Sequence, residues 1–155
     1  MKIVVDSNIV FSAILNYQSQ IGQLIIDGSN YFDFFSIGLL KEEIFNHKNK
    51  ILKLSHFSEE QFTKIYHLVL SKITFVDDIV ISNKDLLEAL KIVKDIDEND
   101  VLFVALNIYL DANLWTGDKK LINGLSKKKY KNTLSTSELY VEYLVLKSKT
   151  ANKIE

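Results

Sequence analysis

Five acidic side chains stand out, because carboxylates gathered in one place are a protein's means of holding a hard divalent cation. Asp6 directly follows an apolar run in Lys2-Ile3-Val4-Val5-Asp6-Ser7-Asn8, and Asp118 follows another in Leu114-Trp115-Thr116-Gly117-Asp118. Asp97 and Asp100 stand about one helical turn apart in Asp97-Glu98-Asn99-Asp100. Glu43 lies in an amphipathic stretch. With Leu40 set at about 0° on a helix, Ile44 falls near about 40°, Glu43 near about −60° and Glu42 near about 200°. Glu43 therefore borders the apolar face while Glu42 looks outward, and a carboxylate near an apolar face is costly unless it is paired or ligates a metal.

Mg²⁺ or Mn²⁺, taking oxygen ligands, is the simplest neutraliser of such a cluster. One or two such ions lower the pKa of an attacking water and stabilise the entering and leaving oxygens of an in-line displacement at phosphorus, so phosphodiester hydrolysis fits. That chemistry needs no cysteine, histidine or organic cofactor. The chain has no cysteine at all, which removes disulfides, thiolate zinc sites and thiol nucleophiles, and His47, His56 and His67 show no metal-ligand spacing with one another. Each acid alone also fits a duller role. Asp97 and Asp100 suit a helix cap, Asp6 and Asp118 a turn or cap after a strand, and Glu43 a solvated helix face. Joint placement is what argues for a site.

That placement depends on the elements. Lys2 to Val5 is a β-branched strand, followed by helical spacing through Ile9, Ile14, Leu24 and Ile25 and a stop at Gly28-Ser29-Asn30. Tyr31 to Ser36 is an aromatic strand and Leu39 to about Leu52 is a helix. Ser58-Glu59-Glu60-Gln61 is a capping box opening a helix to Ser71, Ile73 to Val76 is the next strand, and Ser82 starts another helix. Val101, Val104, Ala105 and Ile108 repeat at helical spacing before the strand from Ala112 to Thr116. A short helix from Lys119 to Leu125, a basic loop, a strand near Thr133 to Ser135 and a helix from Ser137 to Leu146 complete the alternation. It predicts an α/β/α sandwich, with a mainly parallel sheet of four or five strands and right-handed crossovers, over one domain at 1–146. Residues 147–155 read as a polar tail expected to fray. In such a sheet the working site lies beyond the carboxyl ends of the strands, where Asp6 and Asp118 fall.

Taken in order, Val4-Val5-Asp6-Ser7-Asn8, Glu43, Asp97-Glu98-Asn99-Asp100 with Val104-Ala105-Leu106, and Leu114-Trp115-Thr116-Gly117-Asp118-Lys119-Lys120-Leu121 resemble the PIN-domain proteins over residues 2–140. The resemblance implies a Mg²⁺- or Mn²⁺-dependent ribonuclease with Asp6, Glu43, Asp100 and Asp118 as its acidic quartet and Asp97 as an auxiliary ligand. Ser7 and Asn8 match the polar pair after the first aspartate, Ser7 as support for a bound water and Asn8 as a loop-holding residue. Thr116 matches the hydroxyl residue two before the last acid. Among such proteins the chain looks most like VapC-type toxins, which cleave RNA and are silenced by an antitoxin, and this implies an antitoxin partner and a homodimer. RNA processing, or a PIN-like binding module without turnover, are the alternatives.

Lys127, Lys128, Lys129 and Lys131 surround Tyr130 and would track an RNA backbone, although a solvated loop is the plainer reading. Trp115, Phe32, Phe34 and Phe35 read as core. A net charge of −1 leaves phosphate contacts to local lysines rather than to bulk attraction. The apolar runs are too short to span a membrane and the first residues are unlike a signal peptide, so a cytoplasmic protein is expected.

Overall fold

The computed structural model describes residues 1–154. Strand β1 (Lys2–Val5) leads into helices α1 (Ser7–Leu15) and α2 (Gln20–Ile26), then β2 (Asp33–Ile37), α3 (Leu39–Asn46), α4 (Lys48–Ser55) and α5 (Glu59–Ser71). The second half holds β3 (Ile73–Val76), α6 (Asn83–Val93), α7 (Val101–Leu110), β4 (Asn113–Trp115), α8 (Lys119–Lys127), β5 (Thr133–Leu134) and α9 (Thr136–Ile154).

The five strands form one sheet in the order β3-β2-β1-β4-β5, and every pairing is parallel. Ile3, Val4 and Val5 are all fully buried. Successive strand residues point to opposite faces, so this central strand is covered on both sides, as the expected three-layer sandwich requires. Helix α7, with Val104, Ala105 and Leu106 fully buried, packs on β1, β2 and β4 and against α6; α1, α2 and α5 pack together. Phe34 and Trp115 meet across the strands with ring centroids 5.9 Å apart. The strand order reverses at β1, so connections leave β1 and β4 in opposite directions and open a crevice at their carboxyl ends.

Several boundaries differ from the sequence expectation. Tyr31 caps a 3-10 turn at Gly28–Asn30, so β2 starts later and extends to Ile37. The helix expected over 39–52 breaks at His47, whose φ of −93° and ψ of 10° redirect the chain into α4. Lys127 is the last residue of α8 rather than part of a loop. Helix α9 continues through residues 147–154, where lysines and Ala151 favour helix and no glycine or proline stops it; Glu155 lies outside the described residues. The capping box is present as read, with the Gln61 amide N–H donating to Ser58 Oγ at 3.1 Å and the Ser58 N–H to Gln61 Oε1 at 2.9 Å. Among the described residues no single helix is long and apolar enough to cross a membrane.

The turn between α1 and α2 packs closely on the first turn of α2. A Cβ on Gly22 would stand 2.2 Å from the Tyr17 carbonyl oxygen, so only glycine fits there. Gly22→Ala is expected to destabilise the protein by about 1–3 kcal/mol, or about 2–12 °C of melting temperature. Thermal unfolding beside Gly28→Ala checks this, because a Cβ on Gly28 meets only phenylalanine rings, the nearest at an ordinary 3.5 Å.

Candidate metal centre at the sheet's switch point

Asp6 leaves β1 as the N-cap of α1. Its carboxylate accepts the Ile9 N–H at 2.9 Å, and its own N–H donates to the Trp115 carbonyl at 3.4 Å. It is buried, at 3% exposure, and this desolvation raises its pKa. Hydrogen bonds from the Thr116 hydroxyl and the Ile9 N–H oppose the rise, while the nearby charge of Asp118 adds to it.

Asp118 leaves β4 in the same manner and caps α8, accepting from the Lys120 and Leu121 N–H groups at 2.9 and 3.2 Å. Thr116, fully buried, joins the two loops: its oxygen accepts the Asp118 N–H at 3.1 Å and its hydroxyl hydrogen-bonds the Asp6 carboxylate. Thr116→Val keeps the shape and removes both links. It is expected to weaken Mg²⁺ or Mn²⁺ binding about 10- to 100-fold, in the range for a group that orients a ligand, as read by metal titration of the purified protein.

Asp100 ends a 3-10 turn (Glu98–Asp100) that feeds the N-terminus of α7, and Asp97 caps that turn by accepting the Asn99 N–H at 3.0 Å. One oxygen of Asp100, Oδ2, is buried without a hydrogen-bond partner. Its pKa is pushed up to about 7, first by burial and then by the charges of Asp97, Asp118 and Asp6. Asp97, Asp100 and Asp118 each offer a carboxylate oxygen, and the three atoms lie within 4.8 Å of one another.

These residues fit a hard divalent cation. Two oxygens on one ion at about 2.1 Å stand no more than about 4.2 Å apart, comparable to the 4.8 Å within which these three atoms lie. The unpartnered oxygen of Asp100 is the open valence in the cluster, since an anion with no hydrogen bond in a half-buried acidic niche is stabilised only by a proton or a cation.

The remaining predicted residues divide. Glu43 is exposed rather than bordering the core, because Leu40 and Ile44 alone turn inward from α3, and its charge is not among those that raise Asp6 or Asp100. It lines a separate groove with Ser7, Asn8, Phe11, His47 and Lys50, which meets the acids only through the residues that follow Asp6. Among the basic residues, Lys128 is committed to Asp95 and to the Ile92 carbonyl. Tyr130 is half-buried and its hydroxyl receives the Asn107 side-chain N–H at 2.6 Å, so this ring supports the β4 to β5 connection. Lys127, Lys129 and Lys131 are exposed. His47 and Lys50 carried no signal in the sequence, since only the break between α3 and α4 brings them beside α1.

An acid-lined crevice at the switch point of a parallel five-stranded sheet defines the class: an α/β protein whose carboxylates after β4 and at the start of α7 are placed to hold a metal ion, with the Asp6 carboxylate after β1 nearby. The profile of the PIN domain family matches residues 4–141, and the chain belongs to that family. It is a nuclease fold whose members generally depend on a divalent metal. The fold is similar to that in the crystal structure of PAE2754 from Pyrobaculum aerophilum, with a TM-score of 0.64, 16% sequence identity, and coverage of 94% of this chain and 90% of that one. No protein of curated function matches the sequence significantly.

Proposed function

We propose that this protein is an endoribonuclease that hydrolyses RNA phosphodiester bonds with Mg²⁺ or Mn²⁺, and that it acts in the cytoplasm as the toxin of a toxin-antitoxin pair. The observation that carries the nuclease reading is Asp100, which keeps one buried oxygen unpartnered and whose carboxylate lies against those of Asp97 and Asp118. Asp97, Asp100 and Asp118 would hold one or two ions, with Asp6 alongside and Glu43 reaching in from α3. The metal supplies a lowered water pKa and stabilisation of the charge that develops on the phosphate oxygens.

The protein's own groups do the positioning. Thr116 locks the Asp6 and Asp118 loops together, so the carboxylates are held before substrate arrives. Burial of Asp6 keeps bulk water from its carboxylate, so its field acts at low dielectric on whatever binds beside it.

Purified protein incubated with total RNA and a tRNA pool should produce discrete new ends in Mg²⁺ or Mn²⁺, none in EDTA and none with Asp6→Asn. That variant keeps an oxygen for the Ile9 N–H and so keeps the fold. Intact RNA with folded, metal-bound protein would overturn the reading in favour of a binding module.

The toxin assignment, the antitoxin and the homodimer rest on the resemblance to VapC-type proteins. Exposed Val141, Leu144 and Val145 give α9 an apolar stripe suited to a second copy. Growth arrest on expression of the wild type but not of Asp6→Asn supports the toxin; normal growth with active enzyme favours RNA processing. Light scattering should give twice the 17.8 kDa of the chain, and a monomer mass at micromolar concentration would remove the dimer.

A further inference from the structure

Beside the acids a groove of about 410 Å³ runs between α8 and residues 95–96, lined by Asp95, Ile96, Lys120, Asn123, Lys127 and Lys128 around Gly124. We infer that this groove holds the backbone of a single RNA strand on one side of the phosphate at the acids, with Lys120 and Lys127 on phosphates and Asn123 between them. The inference rests on the ribonuclease reading for the choice of nucleic acid.

The groove is continuous with the metal centre through the chain itself. Ile96 directly precedes Asp97 on one wall, and on the other the Lys120 N–H is hydrogen-bonded to Asp118 while its side chain lines the groove. Lys120, Asn123 and Lys127 recur at i, i+3 and i+7, so they share one face of α8 and span about 10 Å, or about three steps of a stacked strand at about 3.4 Å each.

The charge balance also favours a phosphate chain. Asp95, the one acid on the groove wall, is taken by Lys128, which leaves Lys120 and Lys127 uncompensated there. Gly124 has no side chain, and a Cβ there would come within 2.5 Å of Ile96 Cδ1, so α8 and Ile96 are already in contact along the floor. A cleft of this volume takes a nucleotide-sized strand rather than a duplex. Asn123, with one acceptor and two donors, faces any exposed base edge, which single strands present and duplexes conceal.

The test is a double variant, Lys120→Ala with Lys127→Ala, beside Lys149→Ala with Lys153→Ala, which removes the same charge from an exposed stretch of α9 away from the groove. The Lys120→Ala change keeps the backbone N–H that holds Asp118. Anisotropy of a labelled single-stranded RNA oligomer in Mg²⁺ should give a Kd about tenfold higher for the groove variant. The slope of log K against log salt should shrink by about 1.4, which is two phosphate contacts on a single strand. In cleavage assays the loss should fall in KM, as expected of contacts made equally in ground and transition states. A Kd and salt slope equal to the wild type, or equal losses in both variants, would overturn the groove and leave the nuclease intact. Selective loss of binding in the groove variant of a protein that never cuts would keep the groove and sink the nuclease reading; wild-type protein that binds no RNA would overturn both.

Discussion

Asp100→Asn is expected to abolish metal-dependent RNA cleavage, with a fall of at least about 10²- to 10³-fold in kcat/KM, while Glu43→Gln costs only about tenfold. The difference follows from where the two side chains stand. Asp100 keeps one buried oxygen unpartnered and its carboxylate lies against those of Asp97 and Asp118, so its charge acts where water is thin and the dielectric low. Removing one well-placed group from such an environment costs about 2.7–4 kcal/mol of transition-state stabilisation. Glu43 is exposed in a separate groove, where solvent screens it and where its charge does not reach Asp6 or Asp100 strongly enough to raise them. Steady-state cleavage of one mapped substrate, with RNA binding by anisotropy alongside, checks the order. Equal losses for the two variants would show that Glu43 swings in to complete the metal's ligand set.

The fold was legible in the sequence because its signals are local and repeated. β1, β3 and the capping box of α5 stand where the β-branched runs and Ser58-Glu59-Glu60-Gln61 put them. Asp6 and Asp118 were legible as acids at one edge of the sheet for the same reason, since each is the first acidic residue after a buried strand of a parallel sheet. What the sequence concealed is tertiary. Nothing local tells that His47 breaks a helix whose apolar spacing continues, or that residues past Leu146 stay helical without packing. Asp97 and Asp100 looked interchangeable on paper. In the structure Asp97 spends an oxygen on the Asn99 N–H, whereas Asp100 keeps one buried and free. The lysine run drew attention by composition, yet its Lys128 is spent on Asp95, whereas Lys120, whose backbone N–H holds Asp118, stands out only once α8 is seen to start from that acid.

The same free oxygen makes the metal-free protein pay in stability, and the size and sign of that cost can be measured. The Asp100 carboxyl has a pKa of about 7 in the folded protein against 3.8 as a free group, so the folded state binds its proton more tightly than the unfolded state. For an acid shifted upward the penalty is absent below the unfolded value, grows as pH rises from about 4, and is complete above about 7. Burial is its first cause, and Asp97, Asp118 and Asp6 supply the rest. Because the group is only half-buried, solvent discounts the cost to about 1–2 kcal/mol. Metal-free Asp100→Asn should therefore melt about 2–8 °C above metal-free wild type at pH 8, with the gap closing toward pH 4. Asp6 is raised in the same sense and stays in the variant, so some pH dependence persists. Added Mg²⁺ should reverse the ranking: at about 100 times its Kd an ion bound only by the folded state contributes about 2.7 kcal/mol, available to the wild type and largely lost in the variant. A metal-free variant less stable than wild type at pH 8 as well as at pH 4 would mean that Asp100 accepts a structural hydrogen bond, and the metal would lose its principal ligand.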